Sequence, residues 1–147
     1  MNWTYNNEKI TSINQLPKGA YGFIYMLEYD TYKAYIGKKD LYSYQTLPAL
    51  KNGSQRPNSE RIGRNKNGKR VYFDKVRKES NWKQYTSSSK DIPKEAKITK
   101  KHILAIAYSK RHLSYLETKY LFCYEVLESE DFYNKNISGR YFKGNLQ

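Results

Sequence analysis

The chain has 147 residues, 38% of them hydrophobic, and carries a formal net charge of +13 from 27 Lys and Arg against 14 Asp and Glu. That length suits one domain with a modest core, and the single cysteine, Cys123, excludes a disulfide framework or a thiolate metal cluster. No segment approaches a membrane span and the polar start Met1-Asn2-Trp3-Thr4-Tyr5 is no leader, so the expectation is a soluble, cytoplasmic protein.

The charge is unevenly placed. Residues 38–111 hold 20 of the 27 basic side chains but only 6 of the 14 acidic ones, so the middle of the chain carries the whole excess. A block this one-sided implies a polyanion, with phosphate backbone foremost. A membrane face is disfavoured because no stretch joins a long apolar face to the basic one. The 16 tyrosines suit surfaces that are both apolar and hydrogen-bonding. His102 and His112 have no partner at zinc-ligand spacing.

In chain order, residues 1–20 read as an N-terminal arm ending in Pro17-Lys18-Gly19. Two short strands follow, Tyr21–Tyr29 and Tyr32–Lys39, rich in aromatic and β-branched residues and joined at Asp30-Thr31. Paired as a hairpin, they bring Tyr25 and Tyr35 near each other on one face, with Lys38 and Lys39 alongside. Such a pair reads either as sheet packing or as two phenols beside two cations. Only in the second case would a phenol, with an ordinary pKa of roughly 10, become a useful base.

Residues 40–70, with Pro48, Gly53, Pro57, Gly63 and Gly68 among Lys51, Arg56, Arg61, Arg64, Lys66, Lys69 and Arg70, read as a long basic loop, functional or ordered only on DNA. A short helix is predicted over Tyr72–Tyr85, with Trp82 and Tyr85 on one face. The hydroxyl-rich Thr86-Ser87-Ser88-Ser89-Lys90 then suits a grip on phosphate, or a flexible linker. The apolar run 100–108 predicts a buried third strand. Ser109 is placed to cap a helix from Arg111 to about Glu128, with Glu117 on the edge of its apolar face. A carboxylate there needs a lysine or a metal beside it. In the aromatic tail, Asn134 could orient a water or Glu117, or close a turn.

Gly22-Phe23-Ile24-Tyr25, nine residues, then Tyr35-Ile36-Gly37 resembles the paired motif of the GIY-YIG nucleases, with Phe23 standing at the glycine position. Glu117 and Tyr133-Asn134 follow in the order that family shows, so the resemblance covers nearly the whole chain. Stand-alone, phage-type members are the most similar, through Leu47-Pro48-Ala49-Leu50-Lys51 and the Trp82…Tyr85-x-Ser87-Ser88 block. The resemblance implies an α+β fold: a small, mainly antiparallel three-stranded sheet flanked by helices, in a single domain over 1–147 with the basic loop inserted.

It also implies a function, a DNA endonuclease of homing or mobile-element type that uses Mg²⁺ or Mn²⁺ and no small-molecule cofactor. Glu117 would hold the metal and Tyr25 would deprotonate water, its pKa lowered by a neighbouring lysine. Tyr35 would position water or phosphate, and Lys38 or Lys39 would stabilise transition-state charge. Asn134 joins these in the catalytic set. The contacts to nucleic acid would come from Lys51, Arg56, Arg61, Arg64, Lys69, Arg70, Trp82, Tyr85, Ser88, Ser89 and Lys90. Many members carry an arginine about ten residues after the second tyrosine, where this chain has Gln45. Lys38, Lys39 or a loop arginine replaces it, or the protein binds nucleic acid without cutting. A basic module for an acidic protein partner is the third reading. With one centre per chain, a double-strand cut takes a homodimer on DNA or two nicks, in the host cytoplasm if the chain is phage-encoded.

Overall fold

The computed structural model describes residues 1–146. Its strands are β1 (Trp3–Tyr5), β2 (Glu8–Ile10), β3 (Gly22–Tyr29), β4 (Ala34–Asp40), β5 (Tyr42–Pro48), β6 (Ser59–Lys66), β7 (Lys69–Glu79), β8 (Ile98–Ala107), β9 (Asn136–Ile137) and β10 (Tyr141–Phe142). One α-helix, α1 (Lys110–Cys123), and a short 3₁₀ turn at Ile13–Gln15 complete the set among the described residues. No helix among them is long and apolar enough to cross a membrane. Two compact units result: Met1–Leu41 with the chain from Asn81 onward, and Tyr42–Ser80.

The first unit is built on a five-stranded sheet of order β2-β1-β8-β3-β4. All its pairings are antiparallel except β1 with β8. β3 is an inner strand, between β8 and β4, and burial of residues on both its faces explains its continuous run Phe23-Ile24-Tyr25-Met26-Leu27. On one face Ile24, Ile36 and Ala107 meet Leu113, Leu116 and Leu121 of α1, with Val126, Leu127 and Ile137 behind. Each of the Ile, Leu and Val side chains contributes about 1.5–3 kcal/mol on burial. On the other face Trp3, Phe23 and Trp82 form an edge-to-face aromatic layer, with centroids 5.0 Å (Trp3–Phe23) and 6.2 Å (Phe23–Trp82) apart.

Ser109 caps α1, its Oγ accepting from the His112 backbone N–H at 3.0 Å, a contact worth about 1 kcal/mol. The helix stops at Cys123, five residues short of the predicted end. Glu125 is left-handed (φ 52°) and the Val126 N–H turns back to the Leu121 carbonyl, so Val126 and Leu127 are buried from beyond the helix.

Further expectations change. The sheet has five strands, not three, and one α-helix, not several, flanks it. The two extra strands come from residues expected to form an arm. Trp3 is buried and its indole N–H donates to the Trp82 carbonyl at 2.7 Å, which fixes β1 beside β8.

Residues 40–70 are not a loop, and 72–85 are not a helix. The second unit is a three-stranded antiparallel sheet of order β5-β7-β6. Asn67 and Gly68 both adopt positive φ (52° and 75°), the geometry that Asn-Gly supplies in a tight hairpin, and this fixes β6 against β7. Asp74, fully buried in β7, accepts from Arg61 Nε at 2.7 Å and from Arg56 Nη1 at 3.0 Å. Burial on its own would raise that carboxyl; the two arginines outweigh it and hold the pKa below the usual carboxylate range.

Candidate active site

β4 is an edge strand, and Tyr35 and Lys39 from one of its faces and Lys38 from the other reach solvent along it. Its first half is covered. Ala34 exchanges backbone hydrogen bonds with Asp131 and Tyr133 at 2.8 Å each. The Asn134 amide then takes over, its Oδ1 accepting from Ile36 N–H (3.1 Å) and its Nδ2 donating to Ile36 O (2.8 Å). Asn134 is buried and both its polar atoms serve the strand, so it positions β4 rather than a water or Glu117.

Register places Tyr25 opposite Gly37 and Leu27 opposite Tyr35, which makes Tyr25 and Tyr35 diagonal neighbours on one face with centroids 6.4 Å apart. The Tyr25 ring lies across Gly37, where a Cβ would come within 2.6 Å of Tyr25 Cζ. Gly37 is therefore required for close approach, not for its backbone angles. Gly22 answers to packing in the same way, since a Cβ there would meet the Lys39 carbonyl at 2.7 Å and Leu113 Cδ2 at 2.9 Å.

Tyr25 is only 2% exposed and hydrogen-bonds to Ser87 and Tyr85. Burial pushes its phenol far above the ordinary value, with the Ser87 hydrogen bond pulling the other way. This contradicts the expectation that a lysine lowers it. Tyr35 is half-buried and hydrogen-bonded to Ser89; its phenol is also raised, by burial first, with Glu117 adding to the effect. Lys39 stands over the Tyr85 ring at 4.2 Å, and Tyr85 meets Tyr25 edge-on at 6.0 Å.

On the helix side of β4, Lys38 Nζ lies 3.8 Å from Glu117 Oε1 and donates to Ser114 Oγ at 3.3 Å. Glu117 is half-buried. Burial raises its pKa and Lys38 opposes the rise. Lys38 is thus the cation that the fold brings to Glu117. Gln45 lies on β5 opposite Val76, in the other unit.

The residues expected to contact nucleic acid divide into several groups. Trp82 is fully buried in the aromatic layer and cannot reach a ligand. Arg56 and Arg61 are committed to Asp74, and Arg64 lies 5.7 Å over the Phe73 ring. Lys51, Lys69, Arg70 and Lys90 are exposed. The Tyr85 hydroxyl is 3.5 Å from Ser88 Oγ, and Ser89 Oγ also accepts from Asp91 N–H at 3.2 Å. Ser87, left-handed at φ 73° and bonded to Tyr25, was not among the expected site residues, although the Ser run and the Tyr85-x-Ser87-Ser88 block both contain it.

Among the described residues no three His, Cys, Asp or Glu side chains converge. Glu117 is a single carboxylate, partly open to solvent, and a hard cation such as Mg²⁺ is commonly held by one or two carboxylates plus water and substrate phosphates. The donor set fits such an ion.

Comparison with known proteins gives one finding. The family model described as "Putative endonuclease segE, GIY-YIG domain" matches residues 3–137, from the first residue of β1 to the last of β9. No curated protein and no solved structure matches.

Proposed function

Because this chain belongs to the GIY-YIG nuclease superfamily, in its segE-type branch, we propose that it is a DNA endonuclease dependent on a divalent cation. Water adds to the scissile phosphorus while one P–O ester bond breaks, leaving a phosphomonoester and a hydroxyl. The observation that carries this reading is Glu117: a half-buried carboxylate, paired with Lys38, at the same strand edge as Tyr35.

Glu117 would hold Mg²⁺ or Mn²⁺, which supplies positive charge to the phosphate and the leaving oxygen. Lys38 adds a fixed charge to the same place. Tyr35, kept neutral by burial, donates a hydrogen bond to a phosphate oxygen or the attacking water rather than removing a proton. Tyr25 acts from behind as a positioning residue, its hydroxyl holding Ser87 and Tyr85 in place. The likeness to stand-alone phage-type members extends the reading to a mobile-element enzyme acting in the cytoplasm, as two chains or in two successive nicks.

Supercoiled-plasmid cleavage with Mg²⁺ tests this. The native chain should nick or linearise the plasmid, and Glu117→Ala should not. Tyr35→Phe should slow cleavage by about 10²–10³-fold, the usual cost of one transition-state donor. Salt-dependent plasmid retention with no cutting by the native chain would turn the reading to a binding protein.

A further inference from the structure

The three-stranded sheet of residues 42–80 carries ten Lys and Arg against three Asp and Glu. Its register sorts these side chains by face. Asp74, with Arg61 beside it and the Ser54–Arg56 segment bonded over it, belongs to one face. Tyr42, Tyr44, Phe73, Lys75, Arg77 and Arg64 belong to the other. On that second face each cation lies over a ring one diagonal away: Arg77 over Tyr42 at 4.3 Å, Lys75 over Tyr44 at 4.9 Å, Arg64 over Phe73 at 5.7 Å. A concavity of about 460 Å³ opens beside Tyr44, Lys75, Arg77 and Glu60.

From this arrangement we infer that the aromatic–cation face of the β5-β7-β6 sheet binds the phosphate backbone of duplex DNA; the inference rests on the nuclease reading above. Two observations select the duplex. The cations are held in fixed places by the rings, so they meet a regular phosphate array with less ordering to lose. The ring faces are at the same time covered by those cations, which removes the open stacking surface that single strands use. Arg61 turns to Asp74 on the opposite face, and Arg56, although it also lines the concavity, commits its guanidinium to Asp74 and the Pro48 carbonyl, so the three ring-held cations are the ones offered to phosphate.

The test is binding of the full chain to a short labelled duplex in EDTA, across a salt series. Replacing Arg64, Lys75 and Arg77 together by Gln should weaken binding at least tenfold and flatten the slope of log K against log salt by roughly 2.7, about 0.9 for each lost phosphate. Glu60→Lys, opposite Lys75 on the same face, should strengthen binding and steepen the slope by about 0.9. This gain separates a lost contact from a misfolded variant. Native binding and cleavage with neither variant shifting the slope would overturn the inference and leave the nuclease reading standing. Tighter binding to the single strand than to the duplex would overturn it as well. Absence of any salt-dependent DNA binding or plasmid cleavage by the native chain would remove both.

Discussion

The five-stranded sheet is sealed on each face by an apolar layer, Ile24, Ile36 and Ala107 under α1 on one side and Trp3, Phe23 and Trp82 on the other. In the three-stranded sheet the one buried residue among those described is Asp74, an acid held by two arginines. Residues 42–80 are too few to close a hydrophobic core, so hydrogen-bond ladders, one buried ion cluster and cation–ring contacts take its place. Such forces respond to pH and salt, whereas apolar burial responds to volume. The two carboxylates of interest repeat the contrast. Glu117 sits in surroundings that raise its pKa and Asp74 in surroundings that lower it.

The largest expected effect tests the apolar side. Leu113→Ala should cost about 2–5 kcal/mol of unfolding free energy, read by denaturant melts of the first unit. Hydrogen exchange should show lost protection in β3 and β8, with β6 and β7 unchanged at low denaturant. Equal loss in both sheets would mean that they unfold together and the contrast fails.

Asp74→Asn should do the reverse, stripping amide protection from β6 and β7 while β3 and β8 keep theirs. Acid should mimic it. A depressed carboxyl contributes stability that is present above its unfolded pKa, about 4, and is lost as the pH falls through the lower folded value. Protection of the small sheet should therefore survive at pH 5 and fade only in stronger acid. Cleavage should fail earlier: Glu117 must be ionised to hold a cation and its pKa is raised. A pH–rate profile whose acid limb lies above the ordinary carboxylate range would support this assignment. A limb at or below that range would count against it.

Gly37→Ala should lower stability by roughly 1–3 kcal/mol through overpacking against Tyr25, and should reduce cleavage by displacing the ring. The smallest effect is a gain. Glu125→Gly relieves a left-handed backbone and should stabilise the first unit by about 0.5 kcal/mol in the same melts.

Much of the first unit was legible because its signals are local. Alternating aromatic and β-branched residues marked β3 and β4, the apolar run marked β8, and Ser109 marked the helix start. The diagonal approach of Tyr25 and Tyr35, and the position of Glu117 on the edge of the helical face, followed from period and spacing. What was missed depends on distant partners. Asn134 finds Ile36 across 98 positions, and Trp3 finds Trp82 across 79. The small sheet is a different failure: its strands are polar on both faces, so the hydrophobic alternation that marks a strand is faint. Asn67-Gly68 was its one strong signal. Charge was also read too simply, since Arg56 and Arg61 turn inward to an acid that composition counts as surface.

Asn134 has a consequence outside catalysis. An edge strand presents unmated donors and acceptors to which any passing chain can add, the usual start of sheet-to-sheet aggregation. At Ile36 the carboxamide imitates a peptide group and occupies both positions, so the sheet stops growing there without another strand. Aspartate at 134 would keep the acceptor but present no amide N–H to Ile36 O, so the variant should be less soluble at high concentration than its fold stability alone would suggest.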